Sequence, residues 1–82
     1  MNNTEKQQSN SMKTIRRSEI NGEIPKDAQY AAFNPSREFI QKFYKINDND
    51  IPVYWGEQGG WHASFSHTKE SIFNNPLFFE IV

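Results

Sequence analysis

Ile51-Pro-Val-Tyr-Trp-Gly-Glu-Gln-Gly-Gly-Trp-His-Ala-Ser-Phe65 is the stretch whose reading decides the fold. Aromatic and β-branched residues flank the Gly59-Gly60 pair, the pattern of two antiparallel strands joined by a tight turn. Side chains alternate along a strand, so Ile51, Val53 and Trp55 share one face and Tyr54 points to the other. In the second strand Trp61, Ala63 and Phe65 face one way, while His62, Ser64 and Ser66 face the other. The packing this predicts buries Trp55, Trp61 and Phe65 and exposes Tyr54 and His62. Pro52 has no N–H to donate, which suggests an edge strand or a bulge.

Upstream, Asn47-Asp-Asn-Asp50 reads as a turn, with Phe43-Tyr-Lys-Ile46 leading into it. Residues 36–46 carry two patterns at once. Asn34-Pro35-Ser36 has the chemistry of an N-cap followed by proline at the first helical position. Phe39, Ile40, Phe43 and Tyr44 then lie on one helical face. Phe39 and Phe43 also share a strand face, and strand, turn, strand would continue into residue 51. Local pattern alone favours helix here. Further back, Ala28-Gln-Tyr-Ala-Ala-Phe33 suits a strand packed closely by its neighbours, with a short helix as the competing form. Lys13-Thr-Ile-Arg-Arg17 reads as an opening strand, and Asn21-Gly22 as a type I′ turn candidate. Pro25 ends any ladder, leaving residues 23–27 as loop.

Downstream, Thr68-Lys-Glu-Ser-Ile-Phe-Asn74 predicts a short helix capped by Thr68 or Ser66, with Glu70 favoured in its first turn. Asn74-Asn75-Pro76 stops it. Leu77-Phe-Phe-Glu-Ile-Val82 is a strand that would turn Leu77, Phe79 and Ile81 to the core. The expected class is α+β: a small, mostly antiparallel sheet, built as a meander, with one short helix.

Eighty-two residues allow one domain. Residues 1–12 are nearly all polar and cannot offset the entropy of ordering, so they read as a flexible, disordered tail. Met12 is either the natural start or the end of an appended leader. Residues 13–82 are then a single small domain, near the size limit where a core contributes only about 3–5 kcal/mol. There is no cysteine to add a disulfide; the 15% aromatic content compensates, and homo-oligomerisation would help. No secretory leader and no apolar run of membrane-spanning length is present, so a cytoplasmic protein without membrane contact is expected. Charge is uneven: residues 13–45 carry +3 and residues 46–82 carry −4. The aromatic-rich half is the acidic half.

That layout weighs on function. His62 and His67 have opposite strand parity, and a metal site needs three or four ligands, so no metal site is expected. Ser64 and Ser66 share a face with His62, near Glu57 and Glu70 in sequence, but none sits in a nucleophile elbow. Residues 56–60 lack the lysine and the following helix of a phosphate loop. No catalytic residue and no cofactor is expected. Tyr54, Trp55, Trp61 and His62, rimmed by Asp48, Asp50 and Glu57, have the composition of a protein-binding surface suited to a basic target. Single-stranded nucleic acid is the second candidate partner. It would stack on Tyr54, Trp55 and Trp61 and would need Arg16, Arg17, Lys42 and Lys45 beside them.

The combination of Lys13-Thr-Ile-Arg-Arg, Glu19-Ile, Ile24-Pro-Lys-Asp-Ala-Gln-Tyr-Ala-Ala, Phe43-Tyr-Lys-Ile, Val53-Tyr-Trp and Gly60-Trp-His-Ala-Ser resembles short tailed-bacteriophage proteins with an Ile-Pro-x-x-Ala opening and tandem aromatic hairpins. The resemblance spans most of residues 13–65, and it turns the reading of residues 36–46 to strand. It implies an accessory protein of the host cytoplasm that binds and disables a bacterial host protein, including defence targets of the anti-CRISPR or anti-restriction kind. Those proteins have no established site residues, so none is carried over.

Overall fold

The computed structural model describes residues 12–82. Along them lie β1 (Thr14–Ile15), a 3₁₀ turn (Arg17–Glu19), β2 (Tyr30–Phe33), β3 (Ile40–Ile46), β4 (Pro52–Trp55), β5 (Trp61–Ala63), α1 (Lys69–Asn74) and β6 (Phe78–Ile81). The strands make one sheet in the order β1-β6-β2-β3-β4-β5, antiparallel except for the β1–β6 pair. The expected small, mostly antiparallel sheet with one short helix is therefore the fold. The expected tail falls on residues 1–11, outside the described residues. Met12, the last residue of that tail reading, packs half-buried against the core.

Residues 36–46 settle as strand, for a reason visible in the register. β3 pairs with β2 through Tyr30–Tyr44, Ala31–Phe43 and Ala32–Lys42, and then slips so that Phe33 meets Ile40. Gln41 is the extra residue of a bulge. The slip returns Ile40 to the face of Phe43, and both pack on the same cluster. A spacing of three on one face is helical in a regular chain, but here the bulge produces it. The N-cap chemistry before it closes a turn instead. Asn34 Oδ1 accepts from the Glu38 N–H at 2.9 Å, and Arg37 sits at φ 63°, outside any helix.

β6 is an interior strand. It bonds to β2 on one side (Phe33 N–H to the Leu77 carbonyl, 2.8 Å) and to β1 on the other (Glu80 N–H to the Lys13 carbonyl, 2.8 Å). The chain reaches it by crossing the sheet through α1, so both faces are covered. On one face Ile20 and Ala28 from the segment after β1 pack on Ala31 and Ile81. On the other Ile72 of α1 packs on Ala32, Tyr44 and Phe78. We call these the loop face and the helix face.

Four expectations are corrected. Burial on β6 does not follow Leu77, Phe79 and Ile81: Phe78 and Ile81 are its buried side chains, because each face has its own cover. Phe65 is 97% exposed rather than buried, since β5 ends at Ala63 and the chain bends away. Pro52 is buried in an interior strand; it is tolerated as the strand's first residue, where its carbonyl still accepts the Ser64 N–H at 2.9 Å. Asn21-Gly22 joins no hairpin: Gly22 has φ +89°, but no strand flanks it, and β1 pairs with β6 instead.

Among the described residues Ile72 is the one large side chain with no exposed surface. Ile72→Ala is expected to lower stability by about 2–5 kcal/mol, comparable to the whole net stability of a domain this size. Phe65→Ala is expected to leave it unchanged. Urea unfolding followed by tryptophan fluorescence measures both.

Candidate functional site

The β3–β4–β5 meander carries the sequence-predicted residues, and the strand period sorts them. The turn at residues 47–50 fixes the first hairpin: Asn47 Oδ1 accepts from the Asn49 and Ile51 N–H groups, both at 2.9 Å, and Asp50 turns the chain at φ 67°. Gly59 and Gly60, at φ 90° and 87°, close the second as the sequence predicts. The resulting register sets Tyr44 opposite Tyr54 and Tyr54 opposite His62 on the helix face, and Trp55 opposite Trp61 on the loop face.

Tyr54 and His62 form one site. Their rings are 5.7 Å apart and tilted by 36°, and Tyr44 continues the row 6.3 Å from Tyr54. The Lys42 ammonium lies 4.2 Å from the centre of the Tyr54 ring. His62 rests on Gly56: a Cβ there would stand 2.7 Å from the imidazole, so the glycine makes room for the ring. Trp55 and Trp61 lie on the opposite face, edge to face at 5.2 Å, with Trp61 packed against the loop-face core and Lys45 4.9 Å above it; both are half-buried rather than buried, and Tyr54 is half-buried rather than exposed, because β5 is a short edge strand that leaves the tryptophans uncovered while Lys42 and Tyr44 pack on Tyr54.

The acidic rim does not close around these rings. Asp48 and Asp50 occupy the β3–β4 turn and Glu57 the β4–β5 turn, at opposite ends of β4. Asp50 bonds Lys69 at 2.7 Å, tying that turn to the first residue of α1, and this hydrogen bond holds the Lys69 ammonium above the usual lysine range. An ion pair this exposed contributes little to stability.

Strand parity sets His67 apart from His62, and the sequence gives it no further role. Its ring packs against Tyr44 and Phe78, at 5.6 and 5.1 Å. Its Nδ1 lies 3.4 Å from Ser71 Oγ, the contact of a histidine and a serine hydroxyl that a nucleophile would need. That hydroxyl is committed to the helix cap: Ser71 Oγ donates to the Thr68 carbonyl and accepts the Thr68 N–H, both at 2.9 Å. No sequence signal placed His67 beside Tyr44, because the contact needs the α1 crossing. Lys42, Tyr44, His67, Asn75 and Leu77 line a cavity of about 230 Å³ where the sheet meets the α1 end. Among the described residues no three histidines, aspartates or glutamates are grouped to hold a metal ion, and no helix is long and apolar enough to cross a membrane.

Comparison with known proteins gives no match: no protein-family model, no curated protein and no solved structure resembles the chain closely enough to align with it.

Burial pushes the Tyr44 phenol above the usual tyrosine range, and Tyr54 adds to the shift. Burial also raises Tyr30, with the Glu80 carboxylate adding and Lys69 opposing. Both phenols are favoured neutral in the fold. Their contribution to stability is complete below the ordinary tyrosine value of about 10 and is lost as pH climbs through the raised folded values. Urea midpoints are expected to fall above about pH 10, and Tyr44→Phe to flatten part of that fall.

Proposed function

We propose that the protein is a non-catalytic, phage-type accessory protein that binds a bacterial host protein through the helix face of the β4–β5 ribbon and inhibits it. The observation that carries this reading is the Tyr54–His62 pair, a half-buried tyrosine ring and an exposed imidazole 5.7 Å apart, with the Lys42 ammonium on the first and Gly56 leaving room for the second. Rigid aromatic groups lose little entropy on docking, and a few such residues account for most of the energy of a protein interface. Glu57 and Asp48 lie at either end and favour a basic target. The identification of the target as a host protein, including a defence-system component of the anti-CRISPR or anti-restriction kind, rests on the phage resemblance. So does the host cytoplasm as the place of action. The reading requires no cofactor.

From a bacterial lysate, the wild-type chain is expected to enrich a protein that Glu23→Ala retains and the Tyr54→Ala/His62→Ala double variant loses. Hot-spot truncations cost about 2 kcal/mol or more, so the loss should exceed tenfold. Equal recovery by both variants would exclude this surface.

A second reading is favoured by one specific contact pair. Lys42 over Tyr54 and Lys45 over Trp61 put cations beside rings on both faces of the ribbon, the interleaving that single-stranded nucleic acid or a small nucleotide signal needs. Under it, affinity for a single-stranded oligonucleotide falls with salt, and Lys42→Ala/Lys45→Ala reduces the logarithmic salt slope by about 1.4. Anisotropy titrations at several salt concentrations check this, and mass spectrometry of the purified protein checks for a retained nucleotide.

A further inference from the structure

α1 covers the middle of the helix face, through Ile72 on Ala32, Tyr44 and Phe78. Beside the helix two hollows remain, and they meet, because Lys42 and Tyr44 line both. The smaller, about 230 Å³, extends toward His67 and Asn75. The larger, about 470 Å³, extends over Tyr54 to Ser64 and Phe65, where the chain has left β5.

Two hydroxyl-bearing side chains of these walls are buried without a partner. Tyr44 is 6% exposed and Ser64 8%. The Ser64 N–H bonds the Pro52 carbonyl at 2.9 Å, but neither side-chain hydroxyl has a hydrogen-bond partner among the described residues. Buried hydroxyls are normally paired, and an unpaired one calls for a reason. Ser71 shows the contrast: its hydroxyl is spent on the helix cap. Burial favours the protonated Tyr44 phenol, which keeps it a donor.

Charge points the same way. Lys42 is the one lysine or arginine lining either hollow, and no aspartate or glutamate lines them. Its ammonium rests 4.2 Å from the centre of the Tyr54 ring, a weak contact at an exposed site. Hydroxyl donors and one cation, with no fixed anion among them, select an acceptor that carries a single negative charge. A phosphate monoester brings up to two charges against one lysine, and there is no arginine fork to match it. The rest of the wall is aromatic. An anion that takes the Lys42 ammonium uncovers the Tyr54 ring, and Phe65, 97% exposed, lines the same hollow. Two such rings hold a flat apolar group by offset or edge-to-face packing.

We propose that the joined hollows are a binding site for a small aryl carboxylate. Its carboxylate takes the Lys42 ammonium and the Tyr44 and Ser64 hydroxyls, and its ring packs on Tyr54 and Phe65. The site stands whether or not the Tyr54–His62 surface docks a protein.

Amide chemical shifts of the isotope-labelled full chain, titrated with 2-naphthoate, test this. The expected result is saturable shifts centred on Lys42, Tyr44, Tyr54, Ser64 and Phe65. A dissociation constant of about 1 mM is expected for a ligand of about thirteen non-hydrogen atoms. Neutral 2-naphthamide and inorganic phosphate are each expected to bind about tenfold more weakly or worse. Lys42→Ala, at an exposed position, is expected to keep the circular dichroism spectrum and weaken 2-naphthoate about tenfold; Ser64→Ala weakens it about threefold. Absence of saturable shifts up to about 10 mM overturns the proposal. Equal binding of 2-naphthamide overturns it in favour of an apolar hollow that reads no charge, and equal binding of phosphate in favour of a lysine that reads no ring. Binding that Lys42→Ala and Ser64→Ala both leave intact places the ligand elsewhere and overturns it too.

Discussion

The burial of Ile72 is the contact on which the rest of the architecture depends. β2 to β5 form by local hairpins, and a meander of that kind can leave one face wet. Ile72 covers Ala32, Tyr44 and Phe78 and so makes α1 the lid of the helix face. The same crossing returns the chain to the far side of β2, where β6 finds one partner and offers its other edge to β1. Thr68 and Ser71 fix where the helix begins, each side chain accepting the other's backbone N–H, and six residues suffice because packing rather than length stabilises it. Without Ile72 the helix keeps only peripheral contacts, Phe73 on Tyr30 and the exposed Asp50–Lys69 pair, and the crossing that delivers β6 to β1 loses its buried anchor.

What could be read in the sequence follows the range of the interactions. The two turns, at Asn47–Asp50 and Gly59-Gly60, and the Thr68 cap are written in a few adjacent residues, and they fold as those residues predict. The bulge at Gln41 is not written locally. It is imposed by the fit of β3 to β2, and it leaves Ile40 and Phe43 three apart on one face, a signature of a helix. Strand order was equally hidden: nothing in Phe78–Ile81 says that it lies between β1 and β2. The error over Phe65 has a simpler cause. Strand alternation ends at Ala63, two residues before Phe65, where the chain bends.

The candidate site shows the same division. Parity alone separates Tyr54 and His62 from Trp55 and Trp61, so one ribbon of aromatics becomes two surfaces facing opposite ways. The rim of carboxylates, contiguous in a linear reading, is divided between two turns at opposite ends of β4. Legible were the residues; illegible was their grouping, because that depends on which neighbour lies across the ladder. His67 is the clearest case, brought to Tyr44 by a crossing that no local pattern announces.

Charge is rearranged by the same register. Along the chain the basic and acidic halves are separate, and the aromatics belong to the acidic one. In the sheet β3, which carries Lys42 and Lys45, is hydrogen-bonded to β4, so the cations of one half lie over the rings of the other. The two lysines have opposite side-chain directions relative to the sheet because they are three residues apart, and each face receives one. The ribbon is thus neither acidic nor basic as a unit. An ammonium resting on a ring is stabilised there by the ring's quadrupole by only about 0.5–1 kcal/mol at an exposed site. A phosphate or a carboxylate on a partner could draw it away at little cost, and the Tyr54 ring would then be uncovered. The same two contacts on the rings in the free protein therefore leave the choice of partner to what surrounds them, the carboxylates of the turns at the two ends of β4.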